Sequence, residues 1–307
     1  MATRLIPSAG RRLAAAASVT AALMLPAAAL AAAPAPAPAP AQAQAPAAAE
    51  SPAAPAGLPA ELMVKGAPID PYCFEALPET FSPDACLDEN MELHPDHPAT
   101  GPDADGWLER TYRYTDMEEP MNTATAGYRV LGRTEAGMVV ETRAWGGGTG
   151  QFSSIVVFRR DGDTVTVIDR PFGGDRCNGG IIEAGLADGV ITASVAITPY
   201  DLLDIALHGA ETSVAAYDDI AACAICCIGT ADFRGDQLTG VTLGFDEEPA
   251  SRFADEEGDG GPPMQKCFDD LVAARGAYET PGLTLDRAAL DAFGTDFKAR
   301  CLTPPKK

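Results

Sequence analysis

Positive charge is scarce in this chain. Among 307 residues there are 22 Lys or Arg against 44 Asp or Glu, a formal net charge of −22. Lysine is confined to Lys65, Lys266, Lys298, Lys306 and Lys307. So acidic a composition excludes nucleic acid as a partner, because phosphate recognition needs a basic face. Histidine is equally sparse, with His94, His97 and His208 the only three. The patterns that mark catalytic machinery are missing as well: there is no G-x-S-x-G elbow, no H-E-x-x-H helix and no P-loop. No cofactor is implied, no metal site is assigned, and catalytic residues stay unidentified.

One apolar run is present, and its position explains it. Arg4, Arg11 and Arg12 precede an Ala-rich, uncharged stretch from Leu13 to Leu30, and Ala29-Leu30-Ala31 supplies small residues at the spacing a signal peptidase reads. Residues 1–31 therefore read as a signal peptide, and after its removal no transmembrane span is left. The expected location is periplasmic or secreted. Residues 32–60 are almost all Ala and Pro, with an alternating Ala-Pro repeat from Ala33, and read as a disordered linker. Residues 1–60 hold only Arg4, Arg11, Arg12 and Glu50 as charged groups, so the remainder carries a net charge of −24. That remainder, 61–307, reads as a single β-rich, disulfide-bonded domain.

Cysteine is what the sequence has in quantity. Eight cysteines in an exported domain suggest four disulfides: Cys73, Cys86, Cys177, Cys223, Cys226, Cys227, Cys267 and Cys301. Cys73 and Cys86 are close together in an irregular stretch, and Cys267 and Cys301 bracket two helical patterns, so each pair is expected to bridge. Cys177 is expected to pair with Cys227 or Cys226. Cys223-Ala224-Ile225-Cys226 has the spacing of a redox dithiol. No strand-then-helix unit of thioredoxin type accompanies it, which favours structural bridges.

Hairpin signals recur from Gly127 to Phe245. Strands at 128–133 and 138–145 flank Thr134-Glu135-Ala136-Gly137; those at 152–160 and 164–170 flank Asp161-Gly162. Strands at 181–186 and 190–197 flank Asp188-Gly189, and those at 228–233 and 237–245 flank Gly235-Asp236. In the strand 138–145, Met138, Val140, Thr142 and Ala144 alternate with Glu141 and Arg143, which implies one buried and one wetter face. Thr198-Pro199-Tyr200-Asp201 opens a helix with a hydroxyl cap, a proline and an acid in the first turn. A C-terminal helical hairpin is expected over 263–301, facing Phe268, Leu271, Val272, Leu290, Phe293 and Phe297 inward. Residues 61–126 show little periodicity and read as an irregular cover. The fold class is mostly β, an antiparallel β sandwich or open barrel built from hairpins, with that helical hairpin and disulfide staples.

Candidate sites are few. Asp103-Ala104-Asp105-Gly106 and the acidic run 255–260 look like calcium loops but lack the bidentate glutamate at the twelfth position, which leaves weak, irregular Ca²⁺ binding as the reading. The loop 146–150 is glycine-rich but joins two strands and reads as a wide hairpin turn. The segment 171–180 places Asp175, Arg176 and Asn178 among four glycines beside Cys177, and pinned loops of this kind present polar side chains for recognition. Arg143 and Trp145, at the end of a strand leading into the other glycine loop, complete the ligand-binding candidates. These features point to an exported, non-catalytic binding or cell-envelope accessory module. The competing class is an exported enzyme, either an oxidoreductase using Cys223 and Cys226 or a hydrolase whose carboxylates are not placed.

Overall fold

The computed structural model describes residues 57–75, 79–87, 89–97, 102–117, 123–209, 219–244, 263–277, 280 and 282–302. In chain order the elements are β1 (Met63–Val64), β2 (Ala67–Pro68), α1 (Tyr72–Glu75), β3 (Thr80–Phe81), β4 (Met91–Leu93), β5 (Leu108–Tyr114), β6 (Thr123–Arg133) and β7 (Met138–Trp145). They continue with β8 (Phe152–Asp161), β9 (Thr164–Asp175), β10 (Ile181–Ala187), β11 (Val190–Ile197), α2 (Pro199–Ala206), β12 (Gly229–Arg234) and β13 (Gln237–Leu243). The last are α3 (Pro263–Ala273), β14 (Leu283–Leu285) and α4 (Arg287–Cys301). The signal peptide, nearly all of the linker and the acidic run 255–260 lie outside the described residues. The described residues begin just inside the stretch expected as linker, and there Leu58 packs against a buried cluster.

Two antiparallel sheets carry the fold. One has seven strands in the order β3-β9-β8-β7-β6-β5-β4, the other five in the order β10-β11-β12-β13-β14. Apart from β3, neighbours in each sheet are also neighbours in sequence, as expected of a chain built from hairpins. Their turns follow the expected chemistry. Asp188 and Gly189 both take positive φ, 53° and 74°, between the paired residues Ala187 and Val190. The Asp161 turn is displaced by one residue, because Asp161 pairs with Thr164 and the loop proper is Gly162-Asp163.

The core has three clusters: a small one of Met91, Tyr112, Ala124 and Ala126 under β4 to β6, and two larger ones on opposite faces of the seven-stranded sheet. On one face Val139, Ile155, Val157 and Phe172 share a cluster with Val195, Ala231, Val241 and Leu243 of the five-stranded sheet. Leu202 and Leu203 of α2, Phe268 and Leu271 of α3, and Phe293 and Phe297 of α4 close that cluster. On the opposite face Val140, Val156, Phe158 and Tyr128 are covered by Leu62, Ile69 and Phe74 from the N-terminal segment. This corrects the expectation of a wetter face at Glu141, while Arg143 is exposed as expected. Met138 to Thr142 are all buried, because different parts of the chain cover the two sides. The irregular cover expected over 61–126 is likewise only partly so. Residues up to Phe74 do cover the sheet, but β4, β5 and the start of β6 belong to it.

The cover is pinned by polar contacts. Asp70 accepts from Arg110 Nη1 at 2.7 Å, from the Tyr112 hydroxyl and from the Tyr72 N–H at 3.0 Å, while the Tyr128 hydroxyl donates to the Ile69 carbonyl at 3.2 Å. Burial and the Asp70 charge push the Tyr112 hydroxyl pKa far up, so it stays a donor. Helix α2 begins as its sequence dictates: Thr198 and Asp201 form a reciprocal capping box with Pro199 at the first helical position. Helix α4 crosses α2 at Gly294, where an added Cβ would lie 2.5 Å from the Ala206 carbonyl oxygen. The C-terminal helices are in contact, and Cys267 and Cys301 are bridged.

Candidate functional site

The sheet register sets up the site. Glu109, Gly127, Arg143, Ser153 and Gly174 form one row across β5 to β9. Residues directly opposite share a face, and Gly127 offers no side chain to block the way. Arg143 crosses it and bonds Glu109 Oε2 with Nε at 2.9 Å and Nη2 at 2.8 Å. The Arg143 guanidinium also lies 4.1 Å from the centre of the Trp107 ring, and that of Arg129 lies 5.3 Å from it. Arg129 in turn pairs with the buried Glu141 at 2.7 Å. Burial raises the Glu141 pKa, and the Arg129 and Arg143 charges oppose the rise.

A turn supplies the facing wall. Asp175 and Asn178 pair as the last rung of β9, leaving Arg176-Cys177 as a two-residue loop. Arg176 holds φ at 46°, a left-handed conformation in a position that favours glycine. Three contacts fix it: Arg176 N–H to the Gln151 carbonyl at 3.0 Å, Gly180 N–H to the Arg176 carbonyl at 2.9 Å, and Arg176 Nε to Asp175 Oδ1 at 3.2 Å. The glycines around this turn are needed for close approach. A Cβ on Gly174 would sit 1.8 Å from the Asn178 carbonyl oxygen, and one on Gly180 2.3 Å from that of Arg176. The Cys177–Cys227 bridge and the Cys177 N–H bond to the Ala224 carbonyl, 3.3 Å, tie the turn to the segment before β12.

Between this turn and the ends of β6, β7 and β8 lies a cleft of about 430 Å³. Arg143, Trp145, Gln151, Phe152, Ser153, Arg176, Ile181, Ile182 and Cys227 are among its lining residues. Trp145 is oriented by its indole N–H, which donates to the Gly148 carbonyl and folds the glycine loop onto the ring. Phe152 is 50% and Ile182 64% exposed, so large apolar side chains stand in water beside two guanidinium groups.

Of the five residues expected to bind a ligand, the structure brings Arg143, Trp145 and Arg176 together on this cleft. Asp175 and Asn178 shape the turn, with Asp175 Oδ1 also accepting the Gln151 N–H at 2.8 Å. Sequence reading missed Trp107, Glu109, Phe152 and Ile182. Asp103 has a local role: its Oδ1 accepts the N–H groups of Asp105 and Trp107, both at 2.9 Å, and so seats the tryptophan. His94 and His97 stack edge-on at 4.8 Å. Among the described residues, no group of three or more His, Cys, Asp or Glu side chains is placed to hold a metal ion.

A second groove, about 390 Å³, lies on the outer face of the five-stranded sheet and includes Glu183, Ser194, Asp232 and Thr239. Glu183, Ser194 and Asp232 are opposite one another on β10, β11 and β12. The two carboxylate-bearing strands are therefore about 9–10 Å apart at two strand spacings.

All eight cysteines are bridged, as Cys73–Cys86, Cys177–Cys227, Cys223–Cys226 and Cys267–Cys301. The four bridges suit an extracellular or otherwise oxidising compartment. Among the described residues, no helix is long and apolar enough to cross a membrane. Comparison with known proteins finds no matching family model, no matching curated protein and no matching solved structure.

Proposed function

We propose that the protein is an exported, non-catalytic binding module, periplasmic or secreted and serving the cell envelope, whose cleft takes a small carboxylate-bearing ligand with an apolar tail. The observation that carries this reading is the placement of Arg143 and Arg176 beside Trp145, Phe152 and Ile182 on one cleft. Both guanidinium groups already pair, Arg143 with Glu109 and Arg176 with Asp175, so a ligand carboxylate would take their remaining N–H donors, while the exposed apolar side chains gain by covering a tail. In a chain of net charge −22, long-range attraction of an anion is unfavourable, so recognition rests on these local groups. The N-terminal basic residues, the apolar run and the disulfides support export.

The chain's only tryptophans, Trp107 and Trp145, lie at or beside the cleft, so intrinsic fluorescence reports on it directly. Titration with 3-phenylpropionate and hexanoate is expected to give saturable quenching. The matching amides should bind roughly tenfold or more weakly, the effect of losing one charge-assisted bond. Equal responses to acid and amide, or none to either, would reject this ligand class.

A further inference from the structure

Of the eight cysteines, Cys223 alone is exposed, whereas its partner Cys226 is 5% exposed. Between them Ile225 stands 73% exposed, the most exposed large apolar side chain among the described residues. The next residue in the chain, Cys227, belongs to a different bridge, to Cys177, and lines the cleft. Two disulfides thus meet at the adjacent residues Cys226 and Cys227. One presents a sulfur-bearing residue to solvent and the other reaches the ligand site. The Cys177 N–H bond to Ala224 holds Cys177 against the Cys223–Cys226 turn itself.

We propose that Cys223–Cys226 is a thiol–disulfide exchange site, and that reduction entering there is passed to the Cys177–Cys227 bridge and uncovers a thiol in the cleft. The reductant is the dithiol of another exported protein, with Ile225 as the apolar contact for it. In the first step a thiolate of that dithiol attacks Cys223 Sγ; the Cys223–Cys226 bond breaks and Cys226 leaves as a thiolate. The partner's second thiol then attacks its own sulfur in the mixed disulfide. This releases Cys223, which takes a proton, and leaves the partner oxidised by two electrons. In the last step the Cys226 thiolate attacks Cys177 Sγ, a Cys177–Cys226 bond forms, and Cys227 leaves as a thiolate that is protonated in the cleft. That step moves a bridge without net electron transfer. The protein ends with thiols at Cys223 and Cys227. Nothing in this chemistry requires a bound ligand, so it stands apart from the binding role.

The test uses the full folded protein and alkylation mapping. With one equivalent of dithiothreitol followed by acid quench and N-ethylmaleimide, label is expected at Cys223 and at Cys227, while Cys73–Cys86 and Cys267–Cys301 stay closed. If either of those two bridges opens at the same or a lower dose, the exchange site is overturned. A Cys223→Ser variant separates the relay from simple reduction. With no reductant it carries one thiol, which should be found at Cys227 in a substantial share of molecules. Label confined to Cys226, with Cys177–Cys227 intact and the two remaining bridges closed, would overturn the relay.

Discussion

At the scale of single residues, Arg176 is the informative one. Its left-handed backbone costs about 1–2 kcal/mol relative to a relaxed conformation, and the turn would accept glycine there. Evolution of a turn for stability alone has no use for an arginine in that position, whereas a cleft that needs a guanidinium does. Arg176→Gly relieves the backbone while removing the charge, with glycine's greater chain entropy offsetting part of the gain. The expected outcome is a melting temperature unchanged or higher, together with 3-phenylpropionate affinity reduced at least tenfold, read by tryptophan quenching. A variant that loses stability and keeps its affinity would show that Arg176 serves the turn and not the ligand.

At the scale of elements, the hairpins were legible and the exceptions have identifiable causes. Strand β5 escapes a pattern search because Arg110 occupies the face it shares with the buried Leu108 and Tyr112, where it is partly buried against Asp70. A charge on the inward face breaks the alternation that marks a strand. Strand β9 continues past Pro171, which reads as a stop, because the strand lies beside the two-residue edge strand β3 and its pairing with β8 is irregular there. Of the cleft, the sequence showed the charged and aromatic residues next to glycines. Trp107 and Glu109 were hidden, since the arginines they meet, Arg129 and Arg143, lie 22 or more residues further along the chain. Helix α3 yields a pH prediction. Burial raises the Asp269 pKa to about 6, against the opposing effect of the Gln265 bond at 2.8 Å. Its ordinary value is 3.8, so between roughly 4 and 6 the folded state holds more protons than the unfolded one. Stability from this group therefore falls as pH rises through that window. Asp269→Asn should match the wild type in thermal stability near pH 4 and exceed it above pH 6. The gain should be modest, because the side chain is partly solvated. A difference that does not change with pH would assign the burial cost elsewhere.

At the scale of the whole molecule, the seven-stranded sheet depends on a cover that is itself too short to fold alone. Residues 58–75 contribute Leu62, Ile69 and Phe74 to its outer cluster, and the Asp70–Arg110 pair, with side chains 11% and 14% exposed, clamps them down. Removing one partner of a buried pair leaves the other charged and unmatched, at a cost of about 3–5 kcal/mol. Asp70→Ala is expected to lose stability of that order in urea denaturation. Amide exchange should accelerate in residues 58–75 and β5 before β11 to β13 are affected. A loss below about 1 kcal/mol would mean that the cover is held by its apolar contacts alone.

The order of the cysteines along the chain has a consequence for how the molecule is made. Cys73 meets its native partner Cys86 as the next cysteine, and Cys267 likewise meets Cys301. Cys177 does not. A chain oxidised as it emerges offers Cys177 first to Cys223, then to Cys226, and only last to Cys227, its partner in the finished fold. Oxidation by proximity in time would lock a wrong bridge, and the native pair must be reached by rearrangement after β12 has docked beside β11. With oxidation in that order, making the molecule would take an isomerase as well as an oxidase.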